Sequence, residues 1–321
     1  GRGPQSGRQA EIHIVTKAAI EPTAQRGEGL GLPLQDLLRL VPSGEGAWES
    51  DQIQLNHNDR AYGGQTVGQA MAAARCMAPP DRLPTMLQLQ FLAGARKGPP
   101  LIYRVSPLQD GRNFTARRVS AEQSGRPIAD AHVSFALVDR RTRAPRYQRV
   151  ERALEADPQS CLGLGDMPRE WAKTLSCVSG YSLDVNPYID LRVPDAQRQL
   201  FNPYGAHRVE FWLRVTSPFP DSPFGRATAF AYASDWWMNY SSAAAHLGGA
   251  EPLKIYNASL NHSIWWHDEI DPGRWMYCIS EAVCTGLGRG LTTARFFDAS
   301  MVLRASTAQE SLMRPLDEHL S

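Results

Sequence analysis

The chain has 321 residues, 42% hydrophobic and 21% charged, with a formal net charge of +1. That length holds one large or two ordinary domains, the composition excludes a disordered chain, and the near-zero charge removes the strong field that would recruit nucleic acid. No apolar run approaches the roughly 18–20 residues of a membrane span, and the five cysteines, irregularly spaced with no C-x-x-C pattern, read as reduced thiols without a zinc site.

Residues 1–29 open on a polar Gly-Arg-Gly-Pro run without an apolar signal core; they are expected to be disordered, or a processed or added tail. A first unit is expected over 30–139. Apolar residues at helical spacing predict a short helix over 34–40, ended by Pro42 and Gly44. A strand over 47–55 and a glycine-marked turn at 58–65 lead to a helix over 66–77, rich in small residues and stopped by Pro79-Pro80. The period then becomes two: Leu87, Leu89 and Phe91 alternate with Gln88 and Gln90, and further strands are expected at 101–105, 115–121 and 129–138.

Residues 140–205 are rich in Arg and Pro with weak periodicity. They read as a connector packed along the surface, with a short helix near 169–175. A second unit is expected over 206–315. It begins with strands at 209–215 and 226–233. Ser234 then reads as the N-cap of a helix that runs to Gly248-Gly249 and holds Asp235 in its first turn, where the helix dipole favours the ionised carboxylate. Strands at 255–266, 275–283, 291–297 and 300–311 follow.

The two units share this order of elements, and one segment also matches by residue. Asp110-Gly111-Arg112-Asn113-Phe114-Thr115-Ala116-Arg117 sits opposite Gly288-Arg289-Gly290-Leu291-Thr292-Thr293-Ala294-Arg295. Together these point to a tandem duplication. A long helix wrapped by an antiparallel sheet, twice in one chain, is an α+β double hotdog with a continuous sheet.

Three segments carry a family resemblance: Tyr62-Gly63-Gly64-Gln65-Thr66-Val67-Gly68-Gln69-Ala70, the Asp110 to Val119 segment with Gln123-Ser124-Gly125-Arg126-Pro127-Ile128 after it, and Ser259-Leu260-Asn261-His262-Ser263-Ile264-Trp265-Trp266-His267. With Tyr232-Ala233-Ser234-Asp235 and Ala305-Ser306-Thr307-Ala308-Gln309-Glu310, in this order over about residues 30–315, the chain resembles the type II, TesB-type acyl-CoA thioesterases and their peroxisomal relatives. The resemblance implies hydrolysis of an acyl-CoA thioester by one water positioned by an Asp, a Thr or Ser, and a Gln. Those roles fall on Asp235, Ser259 and Gln309. It also points to Gly63, Gly64, Gln65, His262 and Trp236 as substrate-binding candidates. One departure stands out: members often carry a His on the strand where this chain has Met86-Leu87-Gln88-Leu89-Gln90-Phe91.

The chemistry calls for no metal or other cofactor, because a thioester carbonyl is electrophilic and thiolate leaves readily. A general base contributes about 10²–10⁴-fold, and backbone N–H groups at a helix start, with Gly63-Gly64 permitting close approach, are natural donors to the developing oxyanion. His262 and His267 are five apart on a strand and face opposite ways, so joint metal ligation is not expected. Arg117, Arg118 and Arg295 read either as contacts for CoA phosphates or as ion-paired strand residues. A hotdog hydratase, which wants a His five residues after its Asp, is disfavoured by Tyr240 in that place, and the Gly-x-Ser-x-Gly elbow of the α/β-hydrolases is missing. Two alternatives stay open: a different thioester, such as a carrier-bound acyl chain, and non-catalytic acyl-CoA binding. The substrate is the expected partner, self-association into a homo-oligomer is left open, and nucleic acid is not expected. The expected compartment is cytoplasmic or peroxisomal, although the last residues do not form a Ser-Lys-Leu address.

Overall fold

The computed structural model describes residues 31–56, 58–137, 145–149, 151, 157–175, 186–201, 208–247 and 254–315. The expected tail at 1–29, much of the 140–205 stretch and the Gly248-Gly249 helix stop lie outside them. The first half runs through α1 (Leu34–Leu37), β1 (Val41–Gly44), β2 (Ala47–Ser50), the long helix α2 (Gly63–Cys76), β3 (Arg82–Phe91), β4 (Leu101–Asp110), β5 (Phe114–Gln123) and β6 (Arg126–Leu137). Between the halves come β7 (Leu162–Gly163), α3 (Trp171–Leu175), β8 (Ile189–Val193) and α4 (Ala196–Phe201). The second half contains β9 (Arg208–Val215), α5 (Pro223–Ala233), α6 (Tyr240–Ala244), β10 (Ile255–Ser259), β11 (Asn261–Trp266), β12 (Met276–Gly286), β13 (Arg289–Phe297) and β14 (Leu303–Pro315).

All the strands join one antiparallel sheet in the order β1-β2-β4-β5-β6-β3-β11-β14-β13-β12-β9-β8-β7, with β10 also paired to β14. The halves meet where β3 pairs with β11, Asn261 opposite Gln90 through Trp265 opposite Met86. Outward from that junction the orders are β3-β6-β5-β4-β2 and β11-β14-β13-β12-β9. The two halves therefore repeat one topology. Thr115-Ala116-Arg117 lies on β5 and Thr293-Ala294-Arg295 on β13, each the third strand out, so the matching segments occupy equivalent places. β7 and β8 extend the second half's sheet beyond β9, so part of the expected surface connector supplies strands.

The second half corrects two expectations. Residues 226–233 are not a strand; they form most of α5. Ser222 accepts a hydrogen bond from the Gly225 N–H at 3.0 Å and Pro223 occupies the first helical position, which is the capping pattern of a helix start. The alternation in Arg-Ala-Thr-Ala-Phe-Ala-Tyr-Ala imitates period two, but alanine is the strongest helix former and α5 is buried on all sides over its last five residues. Ser234 accordingly closes α5, its N–H donating to the Phe230 carbonyl at 2.8 Å, and does not cap a new helix.

The sheet wraps α2 and α5, which pack on each other. Ten of the fourteen residues of α2 are buried, so this helix is covered on nearly all sides and carries small residues instead of an amphipathic stripe. One apolar core spans both halves, with Val67 and Met71 of α2, Phe230 of α5, Leu87 of β3 and Ile264 of β11 all fully buried. Among the described residues no helix is long and apolar enough to cross a membrane.

Candidate active site

Asp235 follows the C-terminal end of α5 and faces the N-terminal end of α2. A Cβ on Gly63 would stand 2.7 Å from Asp235 Oδ2, and one on Gly64 would collide with the Tyr232 carbonyl oxygen, so the glycine pair lets the two helix ends meet. The Gly64 backbone at the start of α2 favours the charged form of the Asp235 carboxylate. The favourable helix dipole therefore belongs to α2 of the first half, not to a helix that Asp235 begins. Asp235 is 8% exposed. Burial pushes its carboxyl above the usual range; His262, Gln309, the Gly64 backbone and the Ser259 hydroxyl oppose that rise.

Ser259 ends β10 and His262 lies on β11, three residues apart, which in a regular strand would point them to opposite faces. The ladder with β14 shifts by one residue between Ser259 opposite Ser311 and Ser263 opposite Ala308. This bulge turns both side chains inward. Gln309, fully buried on β14, joins them: its Nε2 donates to Asp235 Oδ1 at 2.9 Å and to Ser259 Oγ at 2.6 Å. Its Oε1 accepts from His262 Nδ1–H at 2.6 Å. That bond places a proton on Nδ1; Nε2 lies 2.9 Å from the Ser234 hydroxyl, which itself donates to the Ala231 carbonyl at 3.0 Å. Burial holds the His262 ring below the usual imidazole range, against the pull of the Asp235 charge, with Nδ1 4.0 Å from Asp235 Oδ1. Burial thus favours the neutral ring, and His262 acts on Gln309.

The expected trio of Asp235, Ser259 and Gln309 thus sits within direct hydrogen-bond contact, with Gln309 as the hub. The five substrate-binding candidates divide. Gly63 and Gly64 adjoin the carboxylate. Trp236 is half-buried and packs edge-to-face on Tyr62, ring centroids 5.8 Å apart. His262 is fully buried behind Gln309, and Gln65 spends its amide on the backbone of Gln52 and Gln54, at 2.6 and 2.7 Å. Those last two support the site from behind. Arg117 bonds the Met77 carbonyl and Asp110, Arg118 pairs with Asp130, and Arg295 pairs with Glu151 and Glu281, so all three are ion-paired. His267 is exposed and meets the Ser306 hydroxyl, away from His262.

On β3 the inward residue opposite His262 is Leu89, so an apolar side chain faces the junction. Two residues escape sequence inspection. Ser311 shares a strand face with Gln309 by period-two spacing, a signal available but weak. Asn239, whose amide reaches Ser259, lies after a turn that sequence inspection reads as helix.

Two central helices wrapped by one antiparallel sheet, with an acid, an amide and a hydroxyl converging where the helices meet, define a double-hotdog protein. The chain belongs to the acyl-CoA thioesterase family: residues 54–136 match the acyl-CoA thioesterase N-terminal domain and residues 158–313 the acyl-CoA thioesterase C-terminal domain. Acyl-CoA thioesterase 2 of Haemophilus influenzae is 27% identical over 259 residues, which cover 79% of this chain and 88% of that protein. Acyl-coenzyme A thioesterase 8 of Rattus norvegicus is 24% identical over 287 residues, covering 87% and 88% respectively. The fold matches the crystal structure of the acyl-CoA thioesterase II TesB2 from Mycobacterium marinum with a TM-score of 0.70 at 24% identity, covering 88% of this chain and 99% of that one.

Proposed function

We propose that this chain hydrolyses acyl-CoA to the free acid and CoA, with a water molecule as nucleophile and no covalent intermediate. The observation that carries the reading is the Gln309 amide tying Asp235 Oδ1 and Ser259 Oγ together in a buried junction. Asp235 takes the water's proton as its oxygen attacks the thioester carbonyl. The tetrahedral species collapses, the C–S bond breaks, and the proton passes from Asp235 to the departing CoA thiolate. Burial supports the base role, because it raises the carboxyl's proton affinity. Gln309 spends both N–H bonds on Asp235 and Ser259, so its contribution is to fix their separation. Gly63, Gly64 and Trp236 are the substrate-facing candidates.

We assign one site to each chain. The residue two places beyond α5 is Asp235, whereas two places beyond α2 stands Ala78, which supports a non-catalytic first half. On domain organisation, we retain hotdog units at 30–139 and 206–315 joined by 140–205. The β7–β8 extension favours counting the later part of that joint with the second unit. Cys76, Cys161, Cys278 and Cys284 are free thiols, which supports a reducing compartment, cytoplasmic or peroxisomal.

Thiol release from a panel of acyl-CoAs and acyl carrier-protein thioesters tests the reading. Wild-type protein is expected to turn over at least one acyl-CoA, and Asp235→Asn to lose at least 10²-fold in kcat while keeping its fold. Turnover of carrier thioesters alone would move the substrate class. Saturable acyl-CoA binding without turnover would replace the reading with a binding protein.

A further inference from the structure

Both acceptor positions of the Ser259 hydroxyl are filled. Gln309 Nε2 donates to Oγ at 2.6 Å and Asn239 Nδ2 at 3.3 Å. A serine hydroxyl offers two lone pairs and one proton, so the proton is the single bond left to it. Asp235 shares the Gln309 amide with Ser259, and the Ser259 hydroxyl is among the groups that favour the Asp235 charge.

The Asn239 amide is itself oriented. The hydroxyl of Ser311, fully buried, donates to Asn239 Oδ1, which leaves the NH₂ end for Ser259. Asn239 stands at the N-cap of α6, where an Asn side chain ordinarily bonds the first free backbone N–H groups; here it makes no capping bond. The backbone that delivers it is strained. Trp237 has φ +65°, a conformation a large non-glycine residue rarely adopts, and is held there by burial and by stacking on Tyr240 with ring centroids 4.8 Å apart.

We infer that Asn239 is a positioning residue: anchored by Ser311, it occupies the second acceptor position of Ser259, so that Ser259 meets the reacting groups only as a hydrogen-bond donor. This rests on the thioester hydrolysis proposed above and adds a division of labour to it. Ser259 cannot take a proton from water, so that task falls to Asp235 alone. A fixed donor in this place serves negative charge, whether on Asp235 at rest or on the oxygen that becomes negative during attack.

The test compares Asn239→Ala, Ser259→Ala and the double variant in full-length protein by two readouts. Thiol release should show kcat reduced about tenfold in Asn239→Ala with KM unchanged, the pattern of an interaction that matters in the transition state. The double variant should be no slower than Ser259→Ala, because Asn239 acts through Ser259. The second readout needs no turnover: the ¹³C titration of the Asp235 carboxyl, assigned with Asp235→Asn, should move upward in both single variants and no further in the double. His262 and Tyr232 are the other titratable groups facing that carboxylate. Asn239→Asp keeps the shape and puts an acceptor before Ser259, so it should lose at least as much kcat even if the alanine variant unfolds. Equal losses from Asn239→Ala with and without Ser259, or unchanged kcat and titration, would overturn the inference while leaving hydrolysis intact. A titration pattern as expected in a protein that releases no thiol would overturn the hydrolase reading and leave the positioning intact.

Discussion

Positions 63 and 64 are adjacent in α2 and meet different kinds of neighbour. A Cβ at 63 would press on the Asp235 carboxylate and on Phe91, 3.2 Å away, and a carboxylate can rotate aside. A Cβ at 64 would press on the Tyr232 backbone carbonyl, which cannot. Gly63→Ala is therefore expected to fold and to lose kcat by about tenfold or more as the carboxylate is displaced, whereas Gly64→Ala should lose roughly 1–3 kcal/mol in urea denaturation. The acid side of the pH profile follows from Asp235. Its folded-state proton affinity is raised by burial, and a base must be ionised, so kcat/KM should climb with pH above the ordinary carboxylate range. The stability sign is the reverse. A carboxyl whose folded pKa exceeds its unfolded one stabilises the fold fully below the unfolded pKa, and that contribution disappears as pH rises through the folded pKa. Urea titrations over this window should show wild type losing stability relative to Asp235→Asn as pH rises; a constant difference would mean the carboxylate is not ionised in a buried place.

At the scale of elements, α5 decides how Asp235 is presented. Its start can be tested directly: Ser222→Ala removes the bond to the Gly225 N–H and should cost about 1 kcal/mol in thermal or urea unfolding. The Ser222-Pro223 signature is present in the sequence, yet the alanine alternation that follows hides the helix, since residues buried on every side have no stripe to reveal a 3.6 period. The strands were easier to read, because β3, β5 and β6 alternate buried and exposed residues and their turns are marked by Gly and Pro. Asp235, Ser259 and Gln309 were legible as a set only through the family resemblance. Spacing alone puts Ser259 and His262 on opposite faces, and the bulge that brings them together has no signature in the residues that form it. The roles of Gly63 and Asn239 depend on contacts between positions 63 and 235 and between 239 and 259, which no local pattern encodes.

At the scale of the molecule, the site exists only because the halves are joined. Asp235 and its Gln309–Ser259 support belong to the second half, while the glycine start of α2 that the carboxylate adjoins belongs to the first. The joint is apolar as well as hydrogen-bonded. Leu87 of β3 lies opposite Ile264 of β11, both fully buried in a core shared by the two halves. A shared core of this kind makes the halves unfold together, since separating them would strip water-excluding neighbours from both and leave two unpaired strand edges. Leu87→Ala should then cost about 2–5 kcal/mol and lower one calorimetric transition without splitting it, with thiol release lost along the same curve. Two resolved transitions would mean that the halves are separately stable. In that case activity should fall with the first of them, because either half unfolding alone removes one side of the contact between Gly63 and Asp235.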